Sequence, residues 1–117
     1  MEEIQKLQDA LKQFATERDW QQFHTPKNIA IALSVEASEL LELFQWATPE
    51  ESFHPPRSEL KDELSDVFLY LLRLSSILEV DLVEASWQKL EKNREKYPIH
   101  LSKGNSKKYN QLIEPKE

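Results

Sequence analysis

Glu36-Ala-Ser-Glu39 and Glu63-Leu-Ser-Asp66 repeat one pattern, an acid followed three residues later by a second acid. Residues three apart lie on the same side of a helix. At about 100° per residue, Glu36 falls within the apolar stripe of Ile29, Leu33, Leu40, Leu43 and Ala47. Glu63 sits at the centre of a second stripe, Leu60, Val67, Tyr70, Leu71, Leu74 and Ile77. Facing antiparallel helices would gather four carboxylates, which repel one another and each resist desolvation by several kcal/mol. Protonation, a cationic partner or a divalent metal would relieve that crowding, and neither stripe carries a Lys or Arg. An oxygen-only donor set suits Mg²⁺ or Mn²⁺ rather than zinc. Magnesium keeps water ligands and accepts phosphate oxygens, so the chemistry indicated is that of a phosphate-bearing ligand. The alternative is that these acids are ordinary helix-surface residues. A Glu-x-x-His spacing of the kind used in di-iron bundles occurs at Glu51 and His54, in a proline-interrupted connection that argues against it.

The elements that must position these acids are helical. One glycine, no cysteine and abundant Leu, Glu and Lys favour helix over sheet. The first helix is expected from Glu2 to about Asp19, with Ile4, Leu7, Leu11, Phe14 and Ala15 facing inward. "RDWQQFHTPKN" breaks the period and reads as an aromatic and polar loop. Thr25 then Pro26 starts a second helix that is expected to last to about Ala47. "TPEESFHPPRS" connects it to a third, capped by Ser58 and running from Glu59 to about Glu79. Thr48 to Glu51 can form a short helical turn there, and Pro55-Pro56 stops anything longer. Asp81 and Glu84 have capping-box spacing for a fourth helix, "DLVEASWQKLEKNREKY". The expected architecture is an all-α four-helix bundle, with residues 1–97 as the helical domain and 98–117 as a polar C-terminal tail. Phe68, Leu69 and Leu72 point away from the inner stripe of the third helix. That surplus of apolar surface predicts oligomerisation through it.

Composition narrows the function classes. Residues 1–88 carry seven Lys/Arg against seventeen Asp/Glu, and residues 89–117 carry eight against four. An acidic body with a basic end is ill suited to wrapping a nucleic acid polymer. It could hold a polyanion between a metal-loaded acidic site and a few cations, or it could be a solvated surface with a basic tail. No apolar run approaches the roughly 20 residues of a membrane span, and the N-terminus lacks a secretory pattern. No membrane partner and a cytoplasmic location are therefore expected.

The segments "ERDWQQFHTPKN", "VEASELLELFQW", "DELSDVFLYLL", "VDLVEASWQKLEKNREKYP" and "SKKY" occur in order over most of residues 1–110. In them the chain resembles the MazG-like all-α nucleoside triphosphate pyrophosphohydrolases, most of all the dCTP pyrophosphatase branch. The resemblance implies a homotetramer, a dimer of dimers, that converts a dNTP to dNMP and pyrophosphate with Mg²⁺. The substrate would be dCTP or a modified dCTP, cleared from the nucleotide pool. It makes Glu36, Glu39, Glu63 and Asp66 the metal ligands, with Glu36 and Glu39 the candidates for activating water. It assigns the base to Trp20, Phe23, His24, Trp46 and Tyr70, although core packing would also account for the aromatics. It assigns phosphate contacts to Lys89, Asn93 and Tyr97, where a solvated cationic helix end is the alternative. Trp87 has no match and reads as structural. Other functional readings are the same chemistry on dUTP or another non-canonical nucleotide, a phosphoribosyl-ATP hydrolase, or a non-enzymatic helical interaction module.

Overall fold

The computed structural model describes residues 2–113. They are helical, with no strand among them, and the chain groups into two compact units divided between Val80 and Asp81. The first unit holds α1 (Glu2–Glu17), α2 (Pro26–Glu42) and α3 (Arg57–Ile77), with 3₁₀ turns at Gln21–Phe23 and Glu51–Phe53. The second holds α4 (Leu82–Lys96), the single turn α5 (Ile99–Ser102) and a 3₁₀ turn at Tyr109–Gln111.

Helix ends are set by local chemistry. α1 and α3 both close in Schellman motifs without glycine. Asp19 (φ 54°) and Glu79 (φ 56°) take the left-handed conformation. The next amides, Trp20 N and Val80 N, then donate back to Ala15 O and Ser75 O at 2.9 Å each. A left-handed non-glycine residue costs about 1–2 kcal/mol. At the first motif this is offset partly by Trp20, which turns back onto Phe14 with ring centroids 5.6 Å apart and edge to face. That turn ends α1 near Glu17 rather than Asp19 and seats Trp20 where the first loop begins.

The Thr25 hydroxyl accepts from Asn28 N at 3.2 Å and Pro26 occupies the first turn of α2. Such a cap contributes about 1 kcal/mol. Asn28 Nδ2 also donates to Phe23 O at 3.0 Å, tying residues 20–24 to the start of α2. At its far end α2 stops at Glu42, short of the expected Ala47. The amides of Leu43, Phe44 and Gln45 bond three residues back, to Leu40, Leu41 and Glu42, so the helix tightens and unwinds over these residues. α3 begins at Arg57 behind Pro56 (φ −56°), with no side-chain cap. Ser58, expected as that cap, is inside the first turn because proline already fixes the preceding φ near its helical value. Thr48 and Glu51 form a reciprocal capping box around the short turn between α2 and α3.

α3 packs on both α2 and α1. Ile29 and Ala15 are buried, and the remaining inner-stripe residues of α2 and α3 are half-buried. One expectation is corrected: Leu72 does not face outward. It is 1 % exposed and, with buried Ser75, lies under α1, where Gln8 Nε2 donates to Ser75 Oγ at 3.2 Å. Leu69 is half-buried, whereas Phe68 is exposed, as expected of it. The apolar back of α3 thus serves partly as the seat of α1.

In the second unit the Asp81 carboxylate caps α4 by accepting from Glu84 N at 3.1 Å. Tyr97, at the end of α4, meets Tyr109 edge to face at 6.3 Å, and Lys96 Nζ lies 4.9 Å from the centre of the Tyr109 ring. These contacts join the end of α4 to the turn at Tyr109; residues 114–117 of the expected tail lie outside the described residues. Among the described residues no helix is long and apolar enough to cross a membrane.

Candidate active site

Packing of α2 against α3 brings three of the four expected acids together, and Asp66 is not one of them. Glu36, Glu39 and Glu63 each place a carboxylate oxygen within 4.8 Å of the others. Glu36 and Glu63 are half-buried, and the Oε2 atom of each is buried with no hydrogen-bond partner. Between ionised carboxylates there is no donor, so a shared proton, a water or a cation is needed to satisfy those atoms. Electrostatics show the same conflict. Burial, then the hydrogen bond to Glu39, then the charges of Glu39, Asp66 and Glu63 push the Glu36 carboxyl up to about 7. Glu63 is raised as well, by burial first and then by the charges of Glu39 and Asp66 and a hydrogen bond to Glu39. Converging oxygens with unpaired buried lone pairs fit a hard divalent cation.

Asp66 lies close enough to raise both Glu36 and Glu63, but it belongs equally to the neighbouring pocket. This pocket, of about 220 Å³, is lined by Leu11 and Phe14 of α1 and by Trp20 and His24 of the first loop. Asp66, Leu69, Tyr70 and Arg73 complete it from α3. Its walls are mostly apolar and aromatic, with a few polar groups, as expected for a small-ligand site. Trp20 is 44 % exposed and contacts the rings of Phe14 and His24 within the pocket lining. Asp66 lines the aromatic pocket, one turn before Tyr70 on α3, and lies outside the three converging glutamates, close enough for its charge to act on Glu36 and Glu63.

The other candidate residues are placed elsewhere. Phe23 is 59 % and Trp46 is 87 % exposed, and neither lines the pocket. Trp46 follows the end of α2, and its early unwinding leaves the indole in solvent. Lys89, Asn93 and Tyr97 lie in the second unit at one-turn intervals along and just beyond α4, with Lys89 exposed and Asn93 half-buried. Trp87 is exposed.

Arg73 has a place in the pocket that sequence reasoning missed. It is half-buried, and its Nε donates to His24 Nδ1 at 3.2 Å. His24 therefore accepts at Nδ1 and, when neutral, carries its proton on Nε2. Burial first, and then the Arg73 charge, hold its pKa below the ordinary value. The signal was present in the spacing, since Asp66, Tyr70 and Arg73 recur at helical intervals along one side of α3.

Comparison with known proteins bears on this site. A model of the MazG-like family matches residues 31–112, which contain all four acids and Tyr70, Arg73 and α4. The dCTP pyrophosphatase 1 of Mus musculus is 45 % identical, the alignment covering 96 % of this chain and 67 % of that protein. Its Homo sapiens counterpart is 44 % identical over the same shares. A pyrophosphatase of Archaeoglobus fulgidus DSM 4304, solved by crystallography, superimposes with a TM-score of 0.79 at 41 % identity. It covers 82 % of this chain and is itself covered over 93 %.

Proposed function

The chain belongs to the MazG-like family, and from that premise we propose that it hydrolyses a deoxynucleoside triphosphate, dCTP or a modified dCTP, to the monophosphate and pyrophosphate. Its relatives named dCTP pyrophosphatase support the reaction and the substrate. The observation that carries the reading is the meeting of three carboxylates, two with unpaired buried oxygens, near an aromatic pocket whose lining Asp66 acts on them through its charge.

Glu36, Glu39, Glu63 and Asp66 would hold Mg²⁺, with Mn²⁺ a substitute of the same oxygen preference. Bound there, the cation supplies Lewis-acid stabilisation of the charge on the phosphate oxygens. Trp20 and Tyr70 offer ring faces to the base, each such contact being worth about 1–3 kcal/mol. His24 offers Nε2–H to the same end of the nucleotide. Lys89, Asn93 and Tyr97 are assigned to the triphosphate, in keeping with the basic balance of residues 89–117. Water attacks the α-phosphorus in line, and the bond from that phosphorus to the oxygen bridging α and β breaks. Pyrophosphate leaves, and the water's proton passes to a carboxylate oxygen of Glu36 or Glu39.

The working form in this reading is a homotetramer in the cytoplasm. Ile31 and Val35 on α2, and Leu64 and Phe68 on α3, are exposed apolar pairs one turn apart. Phe23 and Trp46, exposed and outside the pocket of this chain, would contact the base only from a neighbouring copy in that assembly. Sedimentation at micromolar concentration is expected to give four times the 13.8 kDa chain mass, and a monomer would remove the assembly from the proposal. Pyrophosphate release from a panel of dNTPs tests the chemistry. Turnover is expected with dCTP and Mg²⁺ and is abolished by EDTA. EDTA-resistant turnover would overturn the metal reading, and no turnover of any dNTP would favour the interaction module.

A further inference from the structure

Arg73 is a half-buried cation with no carboxylate within 4 Å among the described residues, although Asp66 lines the same pocket. Guanidinium groups in such places are ordinarily paired. One of its five N–H donors, on Nε, is used by His24 Nδ1. The four on the Nη atoms meet no acceptor among the described residues. Because His24 accepts at Nδ1, its own remaining polar atom is also a donor, Nε2–H. The end of the pocket bounded by Trp20, His24 and Arg73 therefore presents donors only.

Position separates this end from the phosphates. Arg73 lies seven residues beyond Asp66, roughly 10 Å along the helix axis at 1.5 Å per residue. A deoxyribose together with the width of the base covers a comparable distance between an α-phosphate and the acceptor edge of the base. With the phosphates at the acid cluster, the Arg73 end receives the base. A planar fork of N–H donors matches two adjacent acceptors. Cytosine carries such a pair, O2 and N3. Uracil and thymine place an N3–H donor beside O2, so the same approach sets donor against donor.

We propose that Arg73 is a specificity-determining residue, its guanidinium donors selecting cytosine over uracil and thymine through O2 and N3. This rests on the nucleotide reading given above. A polar site that fits one base leaves unpaired groups against another, which makes rejection strong. A bidentate contact of this kind is worth about 1–3 kcal/mol, or roughly five- to 150-fold in discrimination.

The experiment compares wild type, Arg73→Met and Arg73→Lys. It measures kcat/KM for dCTP, dUTP and dGTP with Mg²⁺, and equilibrium binding of dCMP and dUMP in the same buffer. Wild type is expected to prefer the cytosine ligand by at least about tenfold in both measurements. In both variants that preference collapses because dCTP and dCMP weaken while dUTP and dUMP do not. Lysine keeps the charge without the fork, so it shares the loss, and circular dichroism checks that it remains folded. An unchanged preference, or a parallel loss for both bases, would overturn the proposal. So would a selective loss of dGTP, whose O6 and N7 are also adjacent acceptors. Wild type that hydrolyses none of the triphosphates would defeat the nucleotide reading itself, a different result from wild-type turnover of dCTP with the preference unmoved.

Discussion

Glu39→Gln and Asp66→Asn are each expected to lower kcat for dCTP by about a thousandfold or more while the metal-free protein melts no lower than wild type. The first effect follows from removing one anionic ligand from a site whose catalytic power is electrostatic. The second follows from the crowding. Glu36 and Glu63 are both raised by their acidic neighbours, and each has a buried oxygen without a donor. An amide at position 39 removes one charge from the cluster and adds two N–H donors beside those oxygens. Loss of activity with gain of stability is the mark of a functional strain rather than a structural pairing. Steady-state kinetics and thermal melts in EDTA read the two effects separately. Near-normal turnover in both variants would refute the metal assignment, and a large drop in melting temperature would show that the acids hold the fold together.

The acid cluster was legible because two regularities coincide. Helical period places Glu36 and Glu39 on one side, and the flanking leucines fix which side that is. The same logic applies to Glu63 and Asp66, of which Glu63 meets the α2 pair while Asp66 turns up in the lining of the pocket. Leu72 was misread for the opposite reason. A periodic pattern identifies a buried face but not how many neighbours a helix has, and α1 lies on the back of α3. The early end of α2 was invisible because no glycine or proline marks residues 43–46; tightening of the last turn ended it instead. Arg73 was passed over because an arginine on a half-polar helix reads as solvated, and its partner His24 is 49 residues away in sequence. Local chemistry is written in short spacings, whereas tertiary partners are not.

The metal-free protein is expected to lose stability as pH rises from 6.5 to 8, and Mg²⁺ is expected to reverse that loss. The sign comes from Glu36. Its carboxyl is raised to about 7 in the folded state, by burial first and then by Glu39, Asp66 and Glu63, against 4.5 as the ordinary value. Between these values the native state holds the proton that the unfolded chain gives up. The stabilisation is therefore complete below about 4.5 and disappears as pH passes through 7. His24 acts in the other direction. Its lowered pKa makes the native state resist protonation, so its contribution is lost as pH falls below the ordinary histidine value of 6.5. At pH 6.5 about half of the unfolded chains still carry the His24 proton, so His24 offsets part of the Glu36 slope just above that pH and progressively less towards pH 8, where Glu36 and its neighbours determine the stability that has been lost. A cation that binds only the folded, ionised cluster adds about 2.7 kcal/mol at a hundredfold excess over its Kd. It also competes with the shared proton. Mg²⁺ should thus raise the melting temperature more at pH 8 than at pH 6.5, and its binding at pH 6.5 should release protons, visible as a dependence of calorimetric heat on buffer ionisation. Glu36→Gln should flatten the metal-free slope. A melting temperature that rises with pH in EDTA, or a Mg²⁺ effect equal at both pH values, would mean that the carboxylates are not coupled in the way their geometry requires.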